Sequence, residues 1–301
     1  MDNLDMKILS RLLNNCRESD RQIGRKVGIS GGAASARIRK MEGSGVIERF
    51  AVKVEPPVFG YGVLYIVVSG QNINGILRQL SLVGEPFFAV PCVGGITVCS
   101  IVIKDEMQQK IELVSRLMKD VRVLTIFEAE NPTHDTSLTR TDLEILEELM
   151  AHPRQKIEEI SNSTGLSTKT VTRCIEKLHG HDGVQFTLVY DPTKIEDFIP
   201  HVILASIGNK TKNTLAILEK EFSESFLQMP FIAKNQIVLF MYSRNIFRMD
   251  DLTQKVTSIE NVKSTDLFIP KKISLLEDWL KNAIKDARKS PKLHITYRQA
   301  G

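Results

Sequence analysis

The chain has 301 residues, 42% of them apolar and 25% charged, with a net charge of +4. That length predicts two or more domains, each able to bury a core, and the composition excludes disordered and collagen-like classes. No apolar run approaches the roughly 18 residues of a membrane span, the polar start MDNLDMKIL does not read as a signal peptide, and four scattered cysteines without a C-x-x-C pair predict reduced thiols in a cytoplasmic protein.

Three short helices are expected first. Leu4, Ile8, Leu9 and Leu12 form a helical stripe. A second helix starts near Ser19, whose hydroxyl can cap free amides, and ends at Gly28, a residue suited to the left-handed stop. Ser30 caps a third, with Ala34, Ile38 and Met41 facing inward. The alternating run Val46 to Val54 then reads as a strand or a β-hairpin wing. Helix, turn, helix and wing describe a winged helix-turn-helix. Downstream come a strand at Tyr61–Ser69, a helix at Ile73–Val83, strands at Phe87–Val93 and Ile96–Ile103 around Gly94-Gly95, a helix at Glu106–Met118 and a strand at Val121–Phe127. The order is βαββαβ.

A shift of 137 residues then repeats the pattern. Asp5 falls on Asp142, Ile8 on Ile145, Gly28 on Gly165, Ser30 on Ser167 and Met41 on Leu178. Helices are expected at Asp142–Met150, Lys156–Thr164 and Ser167–His179, with a wing from Val184 to Tyr190. The βαββαβ order recurs as His201–Ile207, Thr211–Phe222, Phe226–Ala233, Gln236–Tyr242, Ile246–Ser258 and Val262–Ile269. A C-terminal helix follows, with Ile273, Leu276, Leu280, Ala283, Ile284 and Ala287 on one face and Trp279 beside it, packed on the chain's own domains or on a second subunit. The basic tail RKSPKLHITYRQAG is either a solvated end or an arm that adds phosphate contacts.

The stretches Leu4-Asp5, Asp20 to Gly28, Ile29-Ser30, Arg37-Ile38, Met41-Glu42, Gly45-Val46-Ile47 and Phe59-Gly60 resemble the N-terminal half of the Lrp/AsnC (feast/famine) transcription regulators over about 55 residues. The resemblance implies an α+β fold in which each winged helix-turn-helix precedes a ferredoxin-like domain that dimerises and often binds a small effector. The expected domains are residues 1–57 and 58–134, then 138–192 and 198–270, with 271–301 as helix and tail. It implies double-stranded DNA as partner, and an intramolecular pseudo-dimer or a homo-oligomer.

Charge supports that partner locally. Residues 17–53 hold nine Lys/Arg against four acids, and residues 270–301 hold eight against three, on a remainder that is mildly acidic. On the first recognition helix Gly32, Ala36 and Arg39 lie opposite the core stripe. Its bare leading turn cannot reach bases, but its amides can approach phosphate, with Arg25, Lys26, Arg37, Arg39, Lys40 and Arg49 adding charge contacts. The Gly-Gly start could instead pack on another protein surface, and Arg37 could be a partner of Glu42 or a wing carbonyl. On the second helix Lys169 and Arg173 suit guanine acceptors, Thr172 suits a base donor or thymine methyl, and Thr168 and Lys177 flank them. Ser30 and Ser167 complete the candidate set at the two helix starts. Glu176 sits on the same face, either to read a cytosine amino group or as a sign of weak binding.

No catalytic motif is found, and no metal site: His179 and His181 form an H-x-H pair without a third ligand. No cofactor is expected. The effector site is unassigned, because the acidic residue of amino-acid-binding relatives has no counterpart after Gly94-Gly95 or at Asn235-Gln236. The alternative function is that of the siroheme decarboxylases, which resemble the same layout and include tandem fusions. Their chemistry uses His and basic residues in the sheet domains, where this chain offers His201 as its histidine.

Overall fold

The computed structural model describes residues 1–118, 121–129, 138–208, 211–233 and 235–289. The first lobe runs α1 (Asn3–Asn14), α2 (Asp20–Val27), α3 (Gly31–Gly43) and β1 (Ile47–Val54), then β2 (Gly62–Ser69), α4 (Ile73–Leu80), β3 (Glu85–Pro91), β4 (Ile96–Ile103), α5 (Met107–Leu117) and β5 (Arg122–Glu128). The second runs α6 (Arg140–Ala151), α7 (Ile157–Thr164), α8 (Thr168–His179) and β6 (Val184–Tyr190), then β7 (Ile199–Ile207), α9 (Thr211–Phe222), β8 (Phe226–Ala233), β9 (Gln236–Ser243), α10 (Ile246–Thr257) and β10 (Val262–Phe268). A short strand β11 (Ser274–Leu275) and a helix α11 (Asp278–Lys289) close the described chain.

The 137-residue repeat is visible in the local chemistry. Asp2 and Asp5 form a reciprocal capping box at the start of α1, and Thr139 and Asp142 form its counterpart on α6. Ser19, Ser30 and Ser167 accept hydrogen bonds from the amides of Gln22, Ala33 and Thr170. Gly28 and Gly165 stop α2 and α7 with φ of 82° and 70°, a left-handed conformation that costs a residue with a Cβ about 1–2 kcal/mol.

Each lobe has one four-stranded antiparallel sheet of its own, ordered β5-β2-β4-β3 and β10-β7-β9-β8. The βαββαβ connection and this order make both ferredoxin-like. Alternate residues face opposite sides. Leu64, Ile66 and Val68 pack under α4 and α5, and Ile203, Ala205 and Ile207 pack under α9 and α10. The other faces, with Tyr65, Val67, Val202 and Leu204, turn toward each other.

Two features depart from expectation. The wings are single strands, the first of the two expected forms, but each is unexpectedly completed by the other lobe: β1 pairs antiparallel with β6 from Ile47 opposite Tyr190 to Val54 opposite Val184. A lone strand would expose a row of unpaired amides and carbonyls, and this pairing removes it. The two helix-turn-helix units consequently share one core, in which Leu9, Ile38, Leu146, Val171 and Phe186 belong to the same cluster.

The second departure is the C-terminal segment. Ile273 was expected on a helix face, but the chain is extended there, and Ser274 and Leu275 pair with Ala89 and Phe88 on β3. Helical spacing loses to the open edge of the first sheet, which offers ladder hydrogen bonds. Trp279 is then fully buried, edge-on to Phe59 and Phe87 with ring centroids 6.2 and 5.7 Å away. The expected boundary at residue 134, the basic tail from residue 290 and His134 and His294 lie outside the described residues. Cys16, Cys92, Cys99 and Cys174 are free and buried. Among the described residues no helix is long and apolar enough to cross a membrane.

Candidate nucleic-acid interface

The recognition helices α3 and α8 are each tied to the first helix of their unit, α1 and α6, by a buried carboxylate. In the first lobe Arg37 donates to Asp5 at 2.6 Å and to Asp2 at 2.7 Å. In the second, Lys177 reaches Asp142 at 2.5 Å, where the Asp142 side chain is 3% exposed. The anchoring carboxylates are repeat equivalents, and the cations come from different positions on the two helices. Burial pushes the Asp142 carboxyl up, but hydrogen bonds from Lys177, Thr139 and Cys174 outweigh that and hold it below the ordinary carboxylate value.

Arg37 and Lys177 are thus engaged in ion pairs that hold the helix in place, with about a third of each side chain exposed. Lys26 is likewise engaged, bonded to Glu18 at 2.8 Å beside Arg11. Arg49 lies on the ribbon, 3.0 Å from Glu277 and donating to the Leu275 carbonyl at 3.2 Å. The hydroxyls of Ser30 and Ser167 are taken by their caps, and that of Thr172 donates to the Thr168 carbonyl at 2.8 Å. Arg25, Arg39, Lys40, Lys169 and Arg173 are exposed and make no ion pair among the described residues. On α3 they share the outward face with Gly32, Ala33 and Ala36, and on α8 with Thr168 and Glu176.

The bare start of α3 has two explanations, one per glycine. A Cβ on Gly31 would meet the Arg21 backbone Cα at 3.0 Å, and one on Gly24 would meet the Ile29 and Ser30 carbonyl oxygens at 2.8 and 2.9 Å. These glycines let α3 seat closely on α2. The surface behind Gly31 is the chain's own second helix. A Cβ on Gly32 would meet only the Ser30 hydroxyl, at an unstrained 4.0 Å.

A lock between the two units was not anticipated. Arg17 donates to the carbonyls of Pro153 at 2.6 Å and Gln155 at 2.9 Å, across the lobe boundary. In return Arg154 bonds Asp20 at 2.7 Å and lies 5.0 Å over the Phe50 ring. The 137-residue offset puts Arg17 on Arg154, and that equivalence was the available signal.

His181 is buried, and His201 lies on β7 with Nδ1 2.9 Å from the Ile199 carbonyl oxygen and Nε2 unpartnered. No cluster of His, Cys, Asp and Glu suited to a metal occurs among the described residues.

Comparison with known proteins agrees with this layout. The AsnC-type helix-turn-helix domain matches residues 1–42, and a winged helix-turn-helix DNA-binding domain matches residues 138–179. An HTH-type transcriptional regulator of Pyrococcus furiosus is 37% identical over 84 residues, 27% of this chain and 57% of the relative. Regulatory protein AsnC of Escherichia coli (strain K12) is 35% identical over 63 residues, 21% of this chain and 41% of the relative. The chain thus spans about half the length of these relatives, 57% of one and 41% of the other. Over 95% of the chain, the fold is similar to the siroheme decarboxylase NirDL crystallised with an iron-uroporphyrin III analogue, at a TM-score of 0.50 and 11% identity, covering 99% of that protein.

Proposed function

We propose that this chain, tied to the Lrp/AsnC regulators by its two helix-turn-helix domains, is a DNA-binding transcription regulator that carries both heads of a dimer in one polypeptide. The observation that carries the reading is the β1–β6 ribbon, which joins two recognition helices with exposed basic faces into one unit. The domain limits follow the repeat, with 1–57 and 138–192 as the DNA-binding halves.

The two heads divide the work. The outward face of α3 offers Arg39 and Lys40 beside small residues, and Arg25 stands on α2, so this head grips phosphate. The face of α8 offers Lys169 and Arg173, which reach guanine edges. Phosphate contacts fix register and base contacts carry sequence information. Unequal heads suit an asymmetric site.

The decarboxylase reading rests on fold likeness alone. The cavity between the sheets, about 150 Å³, is lined by aromatic and aliphatic side chains with Lys53 as its charged residue, and His201 is not among its walls. A tetrapyrrole with several carboxylates needs more room and more cations. We assign the chain no catalytic step.

Fluorescence anisotropy on a labelled duplex across a salt series tests the proposal. Nine cations are expected from the sequence of the two heads, and internal ion pairs leave five of them. Five contacts give a slope of log affinity against log salt of about −4.5, and nine give about −8. A slope near zero, or a shifted Soret band when iron-uroporphyrin III is added, overturns the reading.

A further inference from the structure

The two sheets face each other across a cavity of about 150 Å³. Tyr65 and Phe127 of the first sheet and Phe231 and Phe240 of the second line it. The Tyr65 ring stacks on Phe127 at 5.2 Å and on Phe231 at 6.1 Å, and Phe231 lies 5.9 Å from Phe240. Residues Thr187 to Tyr190 of β6 and Lys53 of β1 line it too, as do Ile273 and Leu275 of the C-terminal segment. Both ribbon strands, both sheets and the C-terminal segment thus contribute to the wall.

Two facts distinguish this cavity from a packing defect. Protein interiors are close-packed, and voids of this size are few. Thr187 of the wall donates to the Leu13 carbonyl and Lys53 is paired with Glu55, but three other polar groups of the wall lack a partner among the described residues. The hydroxyls of Tyr65 and Tyr190 and the side-chain amide of Gln228, all in the wall, make no hydrogen bond to any described residue. Burial raises both tyrosine pKa values, so both hydroxyls remain protonated donors. Lys53 Nζ stands 5.9 and 6.0 Å from the Phe87 and Phe231 ring centres, paired with Glu55.

An apolar void of roughly 150 Å³ accepts benzene in a protein where one was engineered. We propose that the inter-sheet cavity is a binding site for a small single-ring aromatic molecule carrying one hydrogen-bond acceptor. The ring fills the space between the two sheets' aromatic faces, and the acceptor takes the tyrosine hydroxyls. The site stands independently of the DNA-binding reading, because binding is measured without nucleic acid.

The test uses the full chain with 4-fluorobenzamide, which has an acceptor, and fluorobenzene, which has none, followed by fluorine NMR and calorimetry. The expected result is saturable one-to-one binding of 4-fluorobenzamide, about tenfold tighter than fluorobenzene. Val238→Phe, which fills the cavity, weakens both at least tenfold. Tyr65→Phe and Tyr190→Phe each keep the ring and narrow the gap between the two probes, and the double variant makes them bind alike, so the test survives if Val238→Phe does not fold. Absence of saturable binding by either probe overturns the proposal, as does binding that none of these variants changes.

Discussion

Arg17 and Arg154 are repeat equivalents that reach into each other's lobes: Arg17 donates to the carbonyls on either side of Arg154, and Arg154 bonds Asp20, three residues from Arg17. A symmetric dimer makes such a pair from one residue in two chains. Here the pair lies within one chain, and it fixes the two helix-turn-helix units relative to each other. A guanidinium serves the two carbonyls from two separate nitrogens in a planar fork, where an ammonium has a single nitrogen. Arg17→Lys is expected to lose part of the lock and Arg17→Ala about 1.5–3 kcal/mol of stability, read as a lower urea midpoint. An unchanged midpoint for Arg17→Ala would show that the ribbon alone joins the lobes.

Internal and exposed cations are expected to separate cleanly. Arg37→Ala and Lys177→Met break pairs to Asp5 and Asp142 and should lower stability by about 1–3 kcal/mol while leaving the salt slope of DNA binding unchanged in protein that remains folded. Arg39→Ala should leave stability within about 0.5 kcal/mol and reduce the magnitude of the slope by about 1. Urea unfolding and anisotropy on the same preparations decide it, and a reduced slope for Arg37→Ala would return that residue to the interface.

Arg173→Ala is expected to behave differently from Arg39→Ala. It should relax preference at one base pair, at a cost of about 1–3 kcal/mol there, and bind other sequences much as before. Competition with single-base variants of the best site measures this. A uniform loss across all variants would make Arg173 a phosphate contact.

Acid should weaken the fold through two carboxylates. Asp142 and Glu18 are both held below their ordinary values: burial raises them, and the bonds from Lys177 and Thr139, and from Arg11 and Lys26, outweigh it. A depressed native pKa contributes stability that is present above the unfolded value, about 4, and is lost as pH falls through the native one. Stability should therefore change little from these groups between about pH 5 and 8 and decline below about pH 4. Asp142→Asn should shrink that decline, and an unaltered acid limb would contradict the assignment.

The two glycine environments predict opposite signs for one substitution. Gly32→Ala adds a methyl at ordinary contact distance from the Ser30 hydroxyl and should stabilise α3 by about 0.5–1 kcal/mol. Gly24→Ala drives a Cβ to 2.8 Å from the Ile29 carbonyl oxygen and should destabilise by about 1–3 kcal/mol despite the better helix propensity. Thermal melts of the two variants should move in opposite directions, and a rise for Gly24→Ala would mean that α2 and α3 can separate at little cost.

The local grammar of this chain was legible in its sequence because it is carried by short-range signals. Ser19, Ser30 and Ser167 sit at helix starts, Gly28 and Gly165 at helix ends, and the two βαββαβ runs alternate correctly. What crosses the lobes was not legible. The β1–β6 pairing, the Arg17–Arg154 lock and the docking of Ser274-Leu275 on β3 join residues 100 or more positions apart, and no local spacing encodes them. The candidate site suffered in the same way. Arg49 reads as an exposed wing cation until Glu277 is brought beside it, and Arg37 reads as a helix-face cation until α1 presents Asp5.

The central claim is that two unequal heads, fixed in one chain, read one DNA site, and selection of bound duplexes from random sequence tests it most directly. The account predicts an enriched site with two non-identical half-sites whose centres lie about one helical turn, roughly 34 Å, apart, the better-defined half carrying the guanine that Arg173 reads. Failure to enrich any sequence at low salt, or recovery of a single isolated half-site, would contradict it.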